Sequence, residues 1–371
     1  MNEMNFELAK KLRHELHKHP ELSNHEVWTK KHLLEFLKRY TKLEIVDNEN
    51  WFYAIYRAGK DKPNIAFRAD IDALPFQEND SIPYASKVPG IAHKCGHDGH
   101  AAGLCALAME VDQNGADKNV FFLFQHAEET GDGAAQCKSF ISLNNIEEIF
   151  AIHSMSGLEY NSINVIDGTI QCASKGMIIH FEGSPTHASQ PELGKNPAFA
   201  IAQIVVSIPN VISCAKNKGM VLCTVVQIDV GERAFGMSAS RGNLLLTIRA
   251  LYEDEMEALQ KSIEELAKSE ADKYGLKVTF SYQDYFPETK NHIESNNKIR
   301  MVCRNKGIQI NELKEAIRPS EDFGHYTKLT KGSMCFIGNG YDYPHIHTSD
   351  FDYRDELIKT TVELFKGLID L

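Results

Sequence analysis

The chain of 371 residues contains no apolar run long enough to cross a bilayer. Its most hydrophobic stretch, Val120-Phe121-Phe122-Leu123-Phe124, is far shorter than the roughly 20 residues a spanning helix needs. It has no excess of positive charge either. Lys and Arg number 40 against 51 Asp and Glu, a formal net charge of -11. A surface of that sign does not attract nucleic-acid phosphates, so neither nucleic acid nor membrane is an expected partner. Met1 to Asn5 carries no basic segment leading into an apolar one, so no secretory signal is expected and the protein reads as cytoplasmic. The eight cysteines include no CxxC pair, which removes the common zinc-ribbon and redox signatures. The PCxxC element of the zinc deaminases is also missing. Scattered cysteines in such a chain read as reduced, mostly buried thiols.

One stretch is unusually rich. His93-Lys94-Cys95-Gly96-His97-Asp98-Gly99-His100 holds three histidines, a cysteine and an aspartate within eight positions. Imidazole, thiolate and carboxylate are the side chains that bind divalent transition metals. Further along lie the acid pair Glu128-Glu129 and the histidines His153 and His347.

The apolar pattern places these residues. Strands are predicted at Trp51 to Arg57, Asn64 to Ala69, Asn119 to Gln125 and Ile149 to Ile152. Helices are predicted at Phe6 to His19, Glu26 to Tyr40 and Asp98 to Val111. This alternation implies an α/β domain, a mixed central sheet with helices on both faces. From Lys175 the strands lengthen: Lys175 to Glu182, Met220 to Val230, Asn243 to Ala250 and Lys277 to Tyr282. They interleave with helices at about Pro197 to Ile212 and Glu253 to Tyr274. This is expected to be a smaller α+β unit, residues 173–284, inserted between catalytic parts 1–172 and 285–371. A strand at Met334 to Ile337 and a helix at Asp355 to Ile369 complete the first domain.

Asp70 and Asp72 follow one predicted strand, Glu128 and Glu129 another, and His153 ends a third. Open α/β sheets bind ligands at the carboxyl ends of their strands. Singly, each residue has an ordinary reading: an aspartate after a strand caps a turn, an exposed acid pair is solvated, a strand-end histidine packs. Their shared address favours a site.

The chain resembles the dinuclear metallo-amidohydrolases of the aminoacylase, hippurate-hydrolase and auxin-conjugate-hydrolase type, relatives of the dizinc carboxypeptidases. The resembling segments run nearly end to end. They are Arg13-His14-Glu15-Leu16-His17 with Pro20-Glu21-Leu22, Phe67 to Pro75, Cys95 to His100, Phe124 to Glu129, Thr186-His187-Ala188, Ser320 to Phe323, and His347 with Phe351. The resemblance implies two divalent ions per subunit, zinc, manganese, cobalt or nickel, held by Cys95, His97, Glu129, His153 and His347. It implies Glu128 as general base to a metal-activated water and Asp72 as the carboxylate that orients a ligand. It further implies that His187 contacts the oxyanion from a lid, that Arg249 faces substrate, and that the inserted domain joins a homodimer. The substrate class expected is an N-acyl amino acid or similar small amide. A dipeptidase or carboxypeptidase of the same architecture stays open, as does a metal-stabilised binding protein, although the latter has no use for Glu128. The chain departs from the family at His126 before the acid pair, at Pro191-Glu192 after the lid histidine, and at Gly236, where asparagine is expected.

Overall fold

The computed structural model describes residues 1–79 and 81–371. They divide into two compact units: Met1–Ile170, Thr289–Ala316 and Asp322–Leu371 form the first, Gln171–Glu288 and Ile317–Glu321 the second. The chain opens with α1 (Glu3–Lys18), α2 (Val27–Tyr40), β1 (Glu44–Asp47), β2 (Phe52–Tyr56) and β3 (Asn64–Asp70). Next come α3 (His97–Asn114), β4 (Asn119–Gln125), α4 (Gly133–Cys137), α5 (Ser139–Leu143), β5 (Glu148–Ser156), β6 (Ile163–Val165) and β7 (Gly168–Gln171). The second unit holds β8 (Ala173–Glu182), α6 (Ala198–Cys214), β9 (Val221–Val230), β10 (Arg241–Ala250), α7 (Glu253–Tyr274) and β11 (Lys277–Phe286). The return supplies β12 (Thr289–Asn291), α8 (Ile293–Lys306), β13 (Ile310–Glu312), α9 (Gly324–Thr327), β14 (Lys331–Gly340) and α10 (Leu357–Ile369).

The main sheet of the first unit runs β1-β2-β4-β3-β5-β14-β6-β13. Its middle strands β4, β3, β5 and β14 are mutually parallel, and β2 and β6 join them antiparallel. Every residue of β4 and β5 is buried, which is why both read as continuous apolar runs rather than alternating ones. Helix α3 is buried from His97 to Val111, and its Ala- and Gly-rich sequence lets neighbouring elements approach closely. Helix α10 brings Phe365 against Phe67 of β3, ring centroids 4.6 Å apart.

The second unit is a four-stranded antiparallel sheet, β11-β8-β10-β9. Met177, Ile179 and Phe181 alternate inward on β8, as do Leu244, Leu246 and Ile248 on β10. They pack with Ile201, Ile204 and Ile208 of α6 and with Met256, Leu259 and Ile263 of α7. Edge strand β9 is different: Leu222, Val225, Val226 and Ile228 are exposed, as are Phe199 and Val206 of α6.

Two local expectations are corrected. His153 does not end its strand, because β5 continues to Ser156, paired with β14 throughout. Helix α3 begins at His97, not Asp98, because Gly96 takes the left-handed turn that starts it. Among the described residues no helix is long and apolar enough to cross a membrane, and all eight cysteines are free.

Candidate metal centre

Parallel pairing aligns the carboxyl ends of three strands, with Asp70 of β3 opposite Gln125 of β4. The peptide after β3 carries Asp72, and the turn after β4 carries Glu128 and Glu129. Gly96, between Cys95 and His97, has φ 95°; a Cβ there would lie 2.8 Å from Ser154 Oγ and 3.2 Å from the Tyr353 ring. Only glycine fits that backbone and that space.

Hydrogen bonds decide which imidazole nitrogens face the cluster. His97 Nδ1 donates to the Asp72 carbonyl oxygen at 3.0 Å and lies 3.1 Å from its Oδ1. His153 Nδ1 donates to the Ser154 carbonyl oxygen at 2.7 Å. Each ring therefore turns Nε2 inward. His153 Nε2 and His347 Nε2 are both 3.4 Å from Cys95 Sγ. His97 Nε2 is 3.8 Å and His347 Nε2 3.6 Å from Glu129 Oε1. His97 Nε2 and Glu129 Oε1 are buried without a hydrogen-bond partner. Buried polar atoms are rarely left in that state unless something else binds them. Donor atoms spaced this way suit cations between them, with metal–ligand bonds of about 2.0–2.3 Å. The donor set thus fits divalent metal ions.

His100 shares the motif but not the role. Its Nδ1 lies 2.7 Å from Asp70 Oδ1, and its Nε2 accepts the Ser154 N–H at 3.0 Å. Both nitrogens are used, so it has no lone pair left for a cation.

The acid pair is set by its backbone. Ala127 sits at φ 50°, a sparsely populated region for a residue with a Cβ. Its N–H donates to Glu26 Oε1 at 2.7 Å. The Glu129 N–H donates to Asp72 Oδ2 at 3.0 Å, which also accepts from Ser23 Oγ at 2.7 Å. Glu128 Oε2 approaches His97 Nε2 at 3.9 Å. Asp72 thus serves both His97 and Glu129. The residue pattern gives no part to Ser23 or Glu26, and none to Asp70 or His100 beyond their places after a strand and in the histidine-rich stretch. Ser23 and Glu26 closely follow the family segment Pro20-Glu21-Leu22, and that adjacency is the signal the sequence carries for them.

Electrostatics agree with a cation site. Burial, with Glu129, Glu128 and Asp70 nearby, pushes the Cys95 thiol well up, so a cation is needed to make it a thiolate. Burial, aided by His100, pushes His153 well down, leaving it the neutral ring that ligates.

The two lid residues lie in the second unit. His187 is exposed; its Nδ1 accepts the Ser189 N–H at 3.2 Å and lies 2.7 Å from Ser189 Oγ. An accepting Nδ1 makes Nε2 the protonated, donating nitrogen. Backbone bonds Ala188 N–H to Gly236 O at 3.0 Å and Ser238 N–H to Thr186 O at 2.8 Å zip the His187 loop to the 234–238 loop. Arg249 of β10 donates from Nη1 to the Arg318 carbonyl oxygen at 2.7 Å and to Ser320 Oγ.

The model of peptidase family M20/M25/M40 matches residues 66–371. The chain belongs to this family. It is a metal-dependent hydrolase of amide bonds, which excludes the reading as a binding protein. The N-acetylcysteine deacetylase of Bacillus subtilis is 30% identical over 96% of this chain and 94% of its own length. The N-acetyldiaminopimelate deacetylase of Oenococcus oeni is 28% identical over 97% and 96%. The structure of the YXEP protein of Bacillus subtilis, a dinuclear metal binding peptidase from the M20 family, superposes with a TM-score of 0.84 at 27% identity, covering 100% of this chain and 98% of that one.

Proposed function

We propose that the chain hydrolyses the amide bond of N-acyl amino acids, with Glu128 as the general base. Cys95, His97, Glu129, His153 and His347 hold two divalent ions. The convergence of three imidazole Nε2 atoms on Cys95 and Glu129 carries this reading. Mixed sulfur, nitrogen and carboxylate donors suit zinc, manganese, cobalt or nickel. When bound, such ions supply Lewis acidity to the amide carbonyl and to water. Glu128, which neighbours a ligand, takes a proton from the attacking water. The C–N bond then breaks, and Glu128 returns that proton to the leaving amine nitrogen. His187, its Nε2–H set by Ser189, donates to the oxyanion. Arg249 serves the substrate carboxylate from the inserted domain.

The two deacetylase relatives support an N-acyl amino acid as substrate. A homodimer is proposed through the inserted domain, where β9 lies at the edge of its sheet and both β9 and α6 expose apolar side chains. The location proposed is the cytoplasm. Metal analysis of the purified protein, then a panel of N-acetyl amino acids and dipeptides with each metal restored, tests the reading. Faster turnover of dipeptides than of any N-acyl amino acid would make it a dipeptidase instead.

A further inference from the structure

The tripeptide Cys95-Gly96-His97 is flanked by two buried charges, Lys94 and Asp98. Each is held by a chain of ionic contacts, and the two chains meet at His17. Lys94 Nζ donates to Glu78 Oε1, and to the Phe351 carbonyl oxygen at 2.7 Å. Glu78 Oε1 also faces His17 Nε2 at 2.8 Å. On the other side of the ring, His17 Nδ1 is 2.7 Å from Asp98 Oδ2. Arg13, fully buried, contacts Asp98 at 3.2 Å and Asp352 at 2.8 Å.

Geometry sets the charge of this ring. A neutral imidazole has one N–H, and an ionised carboxylate has none. Both nitrogens of His17 face carboxylate oxygens, so the ring carries two protons unless one acid carries one. Lys94 on Glu78 and Arg13 on Asp98 keep those acids ionised. The groups around the ring are Glu78, Asp98 and, at 3.9 Å, Asp352, against Arg13, Lys94, the neutral edge of Tyr84 and the His93 ring. Burial opposes a cation here, but Asp98 and Glu78 outweigh it and push His17 up to about 9. Burial likewise opposes an ionised Glu78, yet His17 and Lys94 hold it down to about 2.

We infer that His17 is a positioning residue for the metal site: a doubly donating cation that links Glu78, which holds Lys94, to Asp98, and so fixes the spacing of Cys95 and His97. The inference rests on reading those two residues as ligands. The network runs on through Arg13 to Asp352 and Asp355, but His17 is the ring through which the two neighbours of the ligand tripeptide, Lys94 and Asp98, are coupled. The clamp also reaches a third proposed ligand, because the Lys94 carbonyl oxygen accepts the His347 N–H at 2.7 Å.

The test uses the full chain, cobalt(II) alone as probe, and the variants His17→Gln and Glu78→Gln. Polar groups that orient metal ligands are worth roughly 10–100-fold in metal affinity. Folded His17→Gln is expected to bind cobalt that much more weakly, with its sulfur-to-cobalt charge-transfer band shifted or lost. Its kcat should fall more than its KM rises. Glu78→Gln, which keeps shape and acceptor but drops a charge, should move all three readouts the same way by less. It carries the test alone if the His17 variant does not fold. Wild-type cobalt affinity and an unshifted band in a folded variant overturn the inference. Absence of any sulfur-to-cobalt band in the wild-type protein overturns the ligand reading itself, whatever the variants do.

Discussion

At the scale of single residues, the site depends on which atom each side chain presents. Glu128→Gln keeps size and hydrogen bonding but cannot take a proton. We expect it to retain both metals and lose roughly 10²–10⁴ in kcat, the value of a positioned base. Near-wild-type turnover at unchanged metal content would remove Glu128 from its role. A Cβ at Gly96 meets Ser154 Oγ and Tyr353 in a backbone that disfavours any side chain. Gly96→Ala should therefore lower the thermal midpoint and the metal content together, at a cost of about 1–3 kcal/mol. Cys95, coordinated, should resist alkylation until the metals are chelated, and mass spectrometry of the labelled protein reads this directly. Much of this site was legible because its members are close in sequence: Cys95 with His97, Glu128 with Glu129. The tautomers were not. They depend on the Ser154 carbonyl oxygen, which accepts the His153 Nδ1–H, and on the Ser154 N–H, which donates to His100 Nε2. Backbone groups leave no mark in a residue pattern.

At the scale of elements, long periodic segments were readable and short ones were not. The strand Asn119–Gln125 and the helix Glu253–Tyr274 fall on their expected bounds. The three-residue strands β6, β12 and β13 contain too few side chains to show a period, and each exists through its neighbours in the sheets. In the loop between α1 and α2 the family segment Pro20-Glu21-Leu22 was legible, but the contacts of the loop were not. The loop joins two strand ends: the Glu21 carbonyl oxygen accepts the Ala73 N–H at 2.8 Å, Ser23 holds Asp72, and Glu26 holds Ala127. Burial, reinforced by Asp72, pushes Glu26 up to about 7. A carboxyl raised in the folded state contributes stability below its unfolded value near 4.5, and that contribution is lost as pH rises through about 7. Glu26→Gln keeps the acceptor for Ala127 without the charge. In chelated protein it should therefore be more stable than wild type at pH 8, by about 1–3 kcal/mol, and show little gain at pH 5. Equal differences at both pH values in thermal melts would show that Glu26 titrates normally.

At the scale of the whole molecule, the inserted unit was visible as a change from short buried strands to long alternating ones. The role in assembly proposed for it rests on β9 and α6. A charge in the middle of that exposed edge, Val226→Lys, should shift a dimer to monomer by sedimentation. If His187 acts across such a dimer, His187→Ala and Glu128→Gln should each be weak alone and regain part of the activity when mixed. Subunit exchange without recovery would mean that the histidine serves its own chain. The sheet order carries a consequence of another kind. β14 lies between β5 and β6, and His347 follows it, after the whole inserted unit in the chain. On the ribosome, a nascent chain arrested before Lys331 has a gap in the middle of its main sheet and four of its five proposed ligands. With the proposed ligand set, the metal site is complete only once His347 has been made, and the earlier chain, with β5 and β6 lacking the strand between them, exposes unpaired sheet edges of the kind that aggregate.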